Sequence, residues 1–271
     1  MWGQYIFGTV KKVGRGVNMR QMIEQKLALI EQKYDIIIIL AVESGSRAWG
    51  FESLNSDWDV RFIYINRPEW YLTVFPGRDV IEDMDGDLDF SGWDLRKALG
   101  LLYKSNPPLL EWLKSPIVYR EHPAAASALR KLALPHYDPK HAIYHYNSMA
   151  GHNWTAYIKG KEEVCIKKYL YIFRPLLSCK HIEIACEAPP MEIDKLLVYL
   201  EEPTLSQFNQ LLEQKKNGQE LGNTPANPLF NEWIEKTLTY YEDYAQTLEK
   251  KCADTANIDS YLNYWIYAVR K

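Results

Sequence analysis

The residues best suited to chemistry are Asp57 and Asp59, two acids separated by one tryptophan, and the Gly45-Ser46 pair that precedes them by a short loop. Side chains two apart on a strand share a face, so both carboxylates sit side by side while Trp58 and Val60 point the other way. Neighbouring carboxylates repel unless a cation compensates. Mg²⁺ is the natural compensator, a hard ion that takes one or two protein carboxylates and completes its octahedron with water and phosphate oxygens; Mn²⁺ is the alternative ion. The turn Ser44-Gly45-Ser46 offers backbone N–H groups and a hydroxyl to a polyphosphate. Gly45 lets the backbone approach closely, Ser46 is placed to bond a terminal phosphate oxygen, and Arg47 is a candidate for added positive charge. Separately, an Asp-x-Asp is an ordinary solvated pair and a Gly-Ser an ordinary turn. In the order buried strand, Gly-Ser turn, loop, Asp-x-Asp strand, they become specific, because one bound nucleotide engages both.

The elements that must position these residues are legible from periodicity. Met22, Ile23, Leu27, Leu29 and Ile30 recur at helical intervals and predict an amphipathic helix over 19–34. The unbroken β-branched run 35–42 predicts a central strand buried on both faces. A turn or short helix follows between Gly45 and Gly50, then a strand over 57–65 and a strand pair near 78–81 and 87–90. A helix is expected over 93–104, capped by Ser91 and stopped by Asn106-Pro107-Pro108, with Trp93 in the core and Lys97 toward the cleft. Another is expected over 109–114. Past Pro135 strand signals vanish, and helices are predicted near 141–159, 162–186, 191–201, 205–216, 228–250 and 258–270. The chain therefore reads as α/β (α+β): a small mixed twisted sheet with flanking helices over 1–135, followed by an all-helical domain over 136–271 that closes the active-site cleft.

Composition narrows the classes further. The chain has 271 residues, 47% of them hydrophobic, which is ample for a continuous core and excludes disordered and collagen-like classes. A formal charge of −3 lacks the basic excess that marks many nucleic-acid binders, although a local basic groove is compatible with it. The longest apolar run, 36–42, is too short for a bilayer and no leader opens the chain, so a cytoplasmic protein is expected. Cys165, Cys179, Cys186 and Cys252 match no zinc or CxxC spacing and read as free, mostly buried thiols. His141 and His145 share a helix face, but no full ligand set accompanies them.

Several stretches resemble the nucleotidyltransferases of the DNA polymerase β superfamily, and within it the bacterial and phage group called RNA-ligase-associated. They are Gly-Ser-Arg-Ala-Trp-Gly (45–50), Ser-Asp-Trp-Asp-Val-Arg (56–61), Ser-Gly-Trp-Asp-Leu-Arg-Lys-Ala-Leu (91–99), Ser-Asn-Pro-Pro-Leu-Leu-Glu-Trp-Leu (105–113) and Lys-Lys-Tyr-Leu-Tyr-Ile-Phe-Arg-Pro-Leu-Leu (167–177). The resemblance implies two metal ions held by Asp57, Asp59 and a third acid on another strand, for which Asp89, between Leu88 and Phe90, is the choice. Asp87 shares that strand face and competes with it. Asp94 is explained by the dipole of the helix it opens, and Asp83 and Asp85 read as turn residues beside Gly86. By position in the resembling motif, Lys168 and Arg174 are candidate contacts to the triphosphate, and Lys159, Lys161 and Lys180 could extend the patch toward RNA.

The expected activity is metal-dependent transfer of a nucleoside monophosphate from a nucleoside triphosphate such as ATP to a hydroxyl. An RNA end, in repair, is the first candidate acceptor. A small molecule or protein side chain is the second, and a catalytically silent nucleotide-binding module is the reading from another class. Paired metal carboxylates disfavour the silent module, which has no need of them.

Overall fold

The computed structural model describes residues 18–218, 223–249, 251 and 255–270. Helix α1 (Met19–Tyr34) begins at Asn18, whose side chain accepts the Arg20 N–H, and ends at Asp35 in the left-handed conformation. Its buried residues Ile23, Leu27 and Ile30 line one stripe, as the periodicity demands. There follow β1 (Ile37–Glu43), α2 (Gly45–Ala48), β2 (Trp58–Ile65), α3 (Pro68–Tyr71), β3 (Val80–Asp85), β4 (Leu88–Asp94), α4 (Leu95–Tyr103), α5 (Pro107–Lys114) and β5 (Val118–Glu121).

The five strands form one mixed sheet in the order β3-β4-β2-β1-β5. Strands β2 and β4 run parallel, and the other neighbours are antiparallel. Val60, Phe62 and Tyr64 of β2 and Leu88 and Phe90 of β4 pack with α1 on one face. Ile63 and Ile65 meet Leu95, Leu99 and Leu109 on the other. Strand alternation then assigns Asp59, Arg61 and Asp89 to the face opposite α1. Each fully buried Phe or Ile in this frame contributes about 1.5–3 kcal/mol relative to exposure, so the sheet under the acids is firmly held.

The rest of the chain supplies α6 (Pro123–His136), α7 (Pro139–Tyr157), β6 (Glu163–Cys165), α8 (Ile166–Ala185), α9 (Thr204–Lys216), β7 (Asn223–Pro225), α10 (Pro228–Thr247) and α11 (Ala256–Ala268). Helices α7 to α10 surround a second core that includes Phe51 from the loop after α2. The boundary expected at 135/136 falls in the last turn of α6. The first core draws on both sides of it, joining Ile39 and Leu129 to Tyr241 and Trp265.

Several expectations are corrected. The second half is not wholly helical, since β6 and β7 pair antiparallel. Three-residue strands are too short to leave an alternation in sequence. Residues 191–201 form bends and a single 3₁₀ turn at Leu197–Tyr199 rather than a helix. That segment is tied down by the Ile193 N–H to the Trp49 carbonyl, and Pro189-Pro190 and Pro203 bound it. Asp83 and Asp85 lie on β3, where they pair with Lys26 of α1 at 3.1 and 3.6 Å. Strand β4 runs on to Asp94, which, not Ser91, caps α4 by accepting the Arg96 N–H. Strand β5 and helix α6 escape prediction because one is four residues long and the other buries mainly alanines. Cys179 is buried as expected, but Cys186 is exposed, and Cys252 lies outside the described residues. Among the described residues no helix is long and apolar enough to cross a membrane.

Candidate functional site

Strand β1 delivers the chain to the Gly45 turn, and β2 delivers Asp59 beneath it. The Ser44 N–H donates to the Asp59 carbonyl at 2.8 Å, so the two segments touch backbone to backbone. Gly45 has φ +58, a left-handed conformation that glycine adopts without cost. A Cβ placed there would lie 1.9 Å from Asp59 Oδ2, so the glycine is required twice, by conformation and by space. Ser46 is buried at the same turn, its carbonyl accepting the Phe51 N–H.

The parallel register sets Asp59 directly beside Asp89. Between them stands Arg61, two residues along β2 from Asp59. Its Nη2 donates to Asp59 Oδ1 at 2.9 Å and to Asp89 Oδ2 at 2.8 Å. Its Nη1 donates to the carbonyls of Asp89 and Val60 at 3.0 and 3.2 Å. Burial pushes the Asp59 carboxyl up; Arg61 opposes this, Asp89 and Asp57 reinforce it, and Lys167 opposes it. Asp57 is exposed at the entry to β2. Asp87 is also exposed, and its carbonyl accepts the Trp58 N–H at 2.8 Å. Of the two candidates for the third acid, the fold thus gathers Asp89 to Asp59.

Glu43, the last residue of β1, is wholly buried beneath the turn. Its Oε1 accepts the Asp59 N–H at 2.9 Å, and its Oε2 accepts the Tyr119 hydroxyl at 2.6 Å. Burial pushes this carboxyl up to about 7 against the pull of those two hydrogen bonds. The Glu43 carbonyl also accepts the Ser115 hydroxyl, which ties the end of β1 to the residue that closes α5.

The basic residues are distributed differently from the sequence expectation. Arg47 stacks over Trp58 at 3.7 Å and donates to the carbonyls of Ser56 and Asp57, so it staples the entry to β2. Lys168 sits 3.5 Å over the Tyr157 ring. The charge of its neighbour Lys167 favours the ionised form of Asp59 in small part. Arg174 is turned into the core, bonded to Glu111 at 3.0 Å and to the Met191 carbonyl, with Trp49 beneath it. Lys97 extends to Asp79 and Lys180 to Trp233.

Two residues of this site, Glu43 and Arg61, were not singled out by the sequence reading. Arg61 left a signal, since it falls at the next same-face position after Asp59. Glu43 left none, because a glutamate after an apolar run looks like the exposed end of a strand.

These pieces match the polymerase-β-like nucleotidyltransferases, and a family model shows the same class. The model of the RNA repair pathway DNA polymerase beta family matches residues 19–264, and the chain belongs to that family. It is 46% identical over 239 residues to YcgL of Bacillus subtilis (strain 168), itself uncharacterized, a match covering 87% of this chain and 92% of that protein. Among solved structures, a nucleotidyltransferase-like protein from Exiguobacterium sibiricum 255-15 aligns over 89% of this chain and 78% of its own, at 14% identity and a TM-score of 0.28.

Proposed function

We propose that the chain transfers a nucleoside monophosphate from a nucleoside triphosphate to a hydroxyl, that Asp57, Asp59 and Asp89 hold Mg²⁺ or Mn²⁺ for this, and that the acceptor is an RNA end. The observation that carries the reading is the close packing of Gly45 on Asp59 with Asp89 alongside, which joins a phosphate-binding turn and metal-seeking acids at one point.

The donor set fits a hard divalent ion. Asp59 and Asp89 converge on a cation already, the Arg61 guanidinium, and Asp59 Oδ2 packs against Gly45, where no Cβ intervenes. Among the described residues no three acidic, histidine or cysteine side chains converge into a metal cluster as they stand. Asp57, exposed at the strand entry, completes the set by rotating its carboxylate inward. When bound, the ion supplies Lewis-acid polarisation of the phosphoryl oxygens.

The chain's own residues do the rest. The Gly45-Ser46 turn receives the phosphates, and Lys167 supplies the positive charge that the sequence reading gave to Lys168 and Arg174. Asp89 takes the proton of the attacking hydroxyl as its oxygen bonds to the α-phosphorus and the bond to the departing pyrophosphate breaks. The family's RNA repair description supports an RNA acceptor, as does the lysine and tyrosine cluster at Lys161, Lys168 and Tyr157.

The test is incubation with each α-labelled nucleoside triphosphate, Mg²⁺ or Mn²⁺, and a mixture of RNA, protein and metabolite acceptors. Label on RNA that vanishes with Asp59→Asn and Asp89→Asn supports the proposal. Label on protein or a small molecule overturns the acceptor alone. Nucleotide binding without label on any acceptor overturns the enzyme reading.

A further inference from the structure

Arg61 is placed as no surface arginine is. Its side chain is 18% exposed, and it sits on the sheet between two carboxylates that stand opposite each other on parallel neighbours. Without it, Asp59 and Asp89 would face one another in a partly buried setting, where like charges repel more strongly than in water. One guanidinium nitrogen serves both carboxylates and the other serves two backbone carbonyls, Val60 and Asp89. The two carbonyl bonds anchor it. They tether the guanidinium to the sheet itself, so it is built into the floor of the site rather than resting on the acids.

The division of oxygens points the same way. Arg61 takes Oδ1 of Asp59, while Oδ2 of the same carboxylate faces the Gly45 turn. On Asp89 it takes Oδ2. Asp59 is therefore gripped through Oδ1 with its Oδ2 against the turn, and Asp89 is gripped through Oδ2 alone. A ligating carboxylate whose second oxygen is hydrogen-bonded is oriented before the ion arrives, and such outer partners commonly matter about 10–100-fold in metal affinity or activity.

We infer that Arg61 is a positioning residue, a permanent clamp that holds Asp59 and Asp89 as a pair and fixes which oxygen of each is offered to the metal. This rests on the metal reading given above. The competing possibility is a placeholder that the ion must expel. The two differ in sign. Loss of a clamp weakens metal binding, whereas loss of a placeholder strengthens it.

The experiment uses the full chain and four variants, Arg61→Gln, Arg61→Lys, Asp89→Asn and Arg61→Gln with Asp89→Asn. Mn²⁺ affinity is measured by electron paramagnetic resonance in the presence of a non-hydrolysable nucleoside triphosphate. The clamp requires Arg61→Gln to bind Mn²⁺ about 10–100-fold more weakly, with a fall in kcat and little change in nucleotide KM. Arg61→Lys recovers part of this, since an ammonium restores the charge but not the fork. Unchanged or tighter Mn²⁺ binding in Arg61→Gln overturns the inference.

A metal-free arm separates its failure from that of the metal reading. In metal-free protein the urea midpoint of Arg61→Gln falls, and adding Asp89→Asn restores part of it, because one of the repelling charges is gone. If wild-type protein binds no Mn²⁺, the metal reading fails, and this coupling alone decides whether the clamp stands. Additive effects of the two substitutions would then overturn it.

Discussion

Replacing Gly45 by alanine should separate the conformational and spatial demands of the turn. The backbone there has φ +58, and placing an L side chain in that region costs about 1–2 kcal/mol. Gly86, in the turn between β3 and β4, has nearly the same φ of +61, but a Cβ on it would meet nothing within 4 Å. At Gly45 the new Cβ would start 1.9 Å from Asp59 Oδ2 and 2.8 Å from its Cγ, whereas ordinary contact begins at 3.4 Å. The carboxylate must therefore withdraw by roughly 1.5 Å, and a misplacement near 1 Å can cost about 10²-fold in rate. The expected result is a pair of variants that each lose about 1–2 kcal/mol in urea unfolding, with Gly45→Ala losing somewhat more. Only Gly45→Ala should also lose about 100-fold in nucleotidyl transfer. Equal rates for the two alanine variants would refute the argument that Gly45 exists to make room for Asp59.

Two further outcomes follow from buried groups. Glu43 has its carboxyl raised from 4.5 to about 7, so the stability it contributes is fully present below pH 4.5 and is lost as pH rises through 7. Glu43→Gln, neutral throughout, should lack that loss, and the gap between its unfolding free energy and that of the wild type should shift by on the order of 3 kcal/mol between pH 4.5 and 8. Parallel pH profiles would contradict this. Arg174→Met leaves Glu111 buried without its cation and should destabilise by about 3–5 kcal/mol, while Glu111→Gln in the same chain recovers part of the loss. Nucleotide affinity measured by isothermal titration in the folded variant should be unchanged, and a large drop would return Arg174 to the triphosphate site.

Much of the frame was legible because it rests on local rules. Helix α1 falls where an apolar stripe places it, β1 where the β-branched run stands, and β2 over the segment expected at 57–65. The elements that escaped were those whose signal is short or weak: β5, the three-residue strands β6 and β7, and the alanine-rich α6. The segment 191–201 carried helical spacing but folds as turns, held by the Ile193 N–H on the Trp49 carbonyl and bounded by prolines.

By itself the sequence determined the chemistry on offer: Gly45-Ser46 after one strand, Asp57 and Asp59 on the next, and an acid at 87 or 89 beyond. Residue type and the two-residue period of a strand suffice for that, since both act within a few positions. Only the tertiary structure set Asp89, and not Asp87, beside Asp59, because the β2–β4 register spans a separation no local pattern encodes. It also decided the charges. Arg61 reaches both acids because parallel pairing brings two strands under one guanidinium, Lys168 is drawn over Tyr157, and Arg174 is spent on Glu111 in the core. Which way a long cationic side chain points depends on what the rest of the fold brings within its reach.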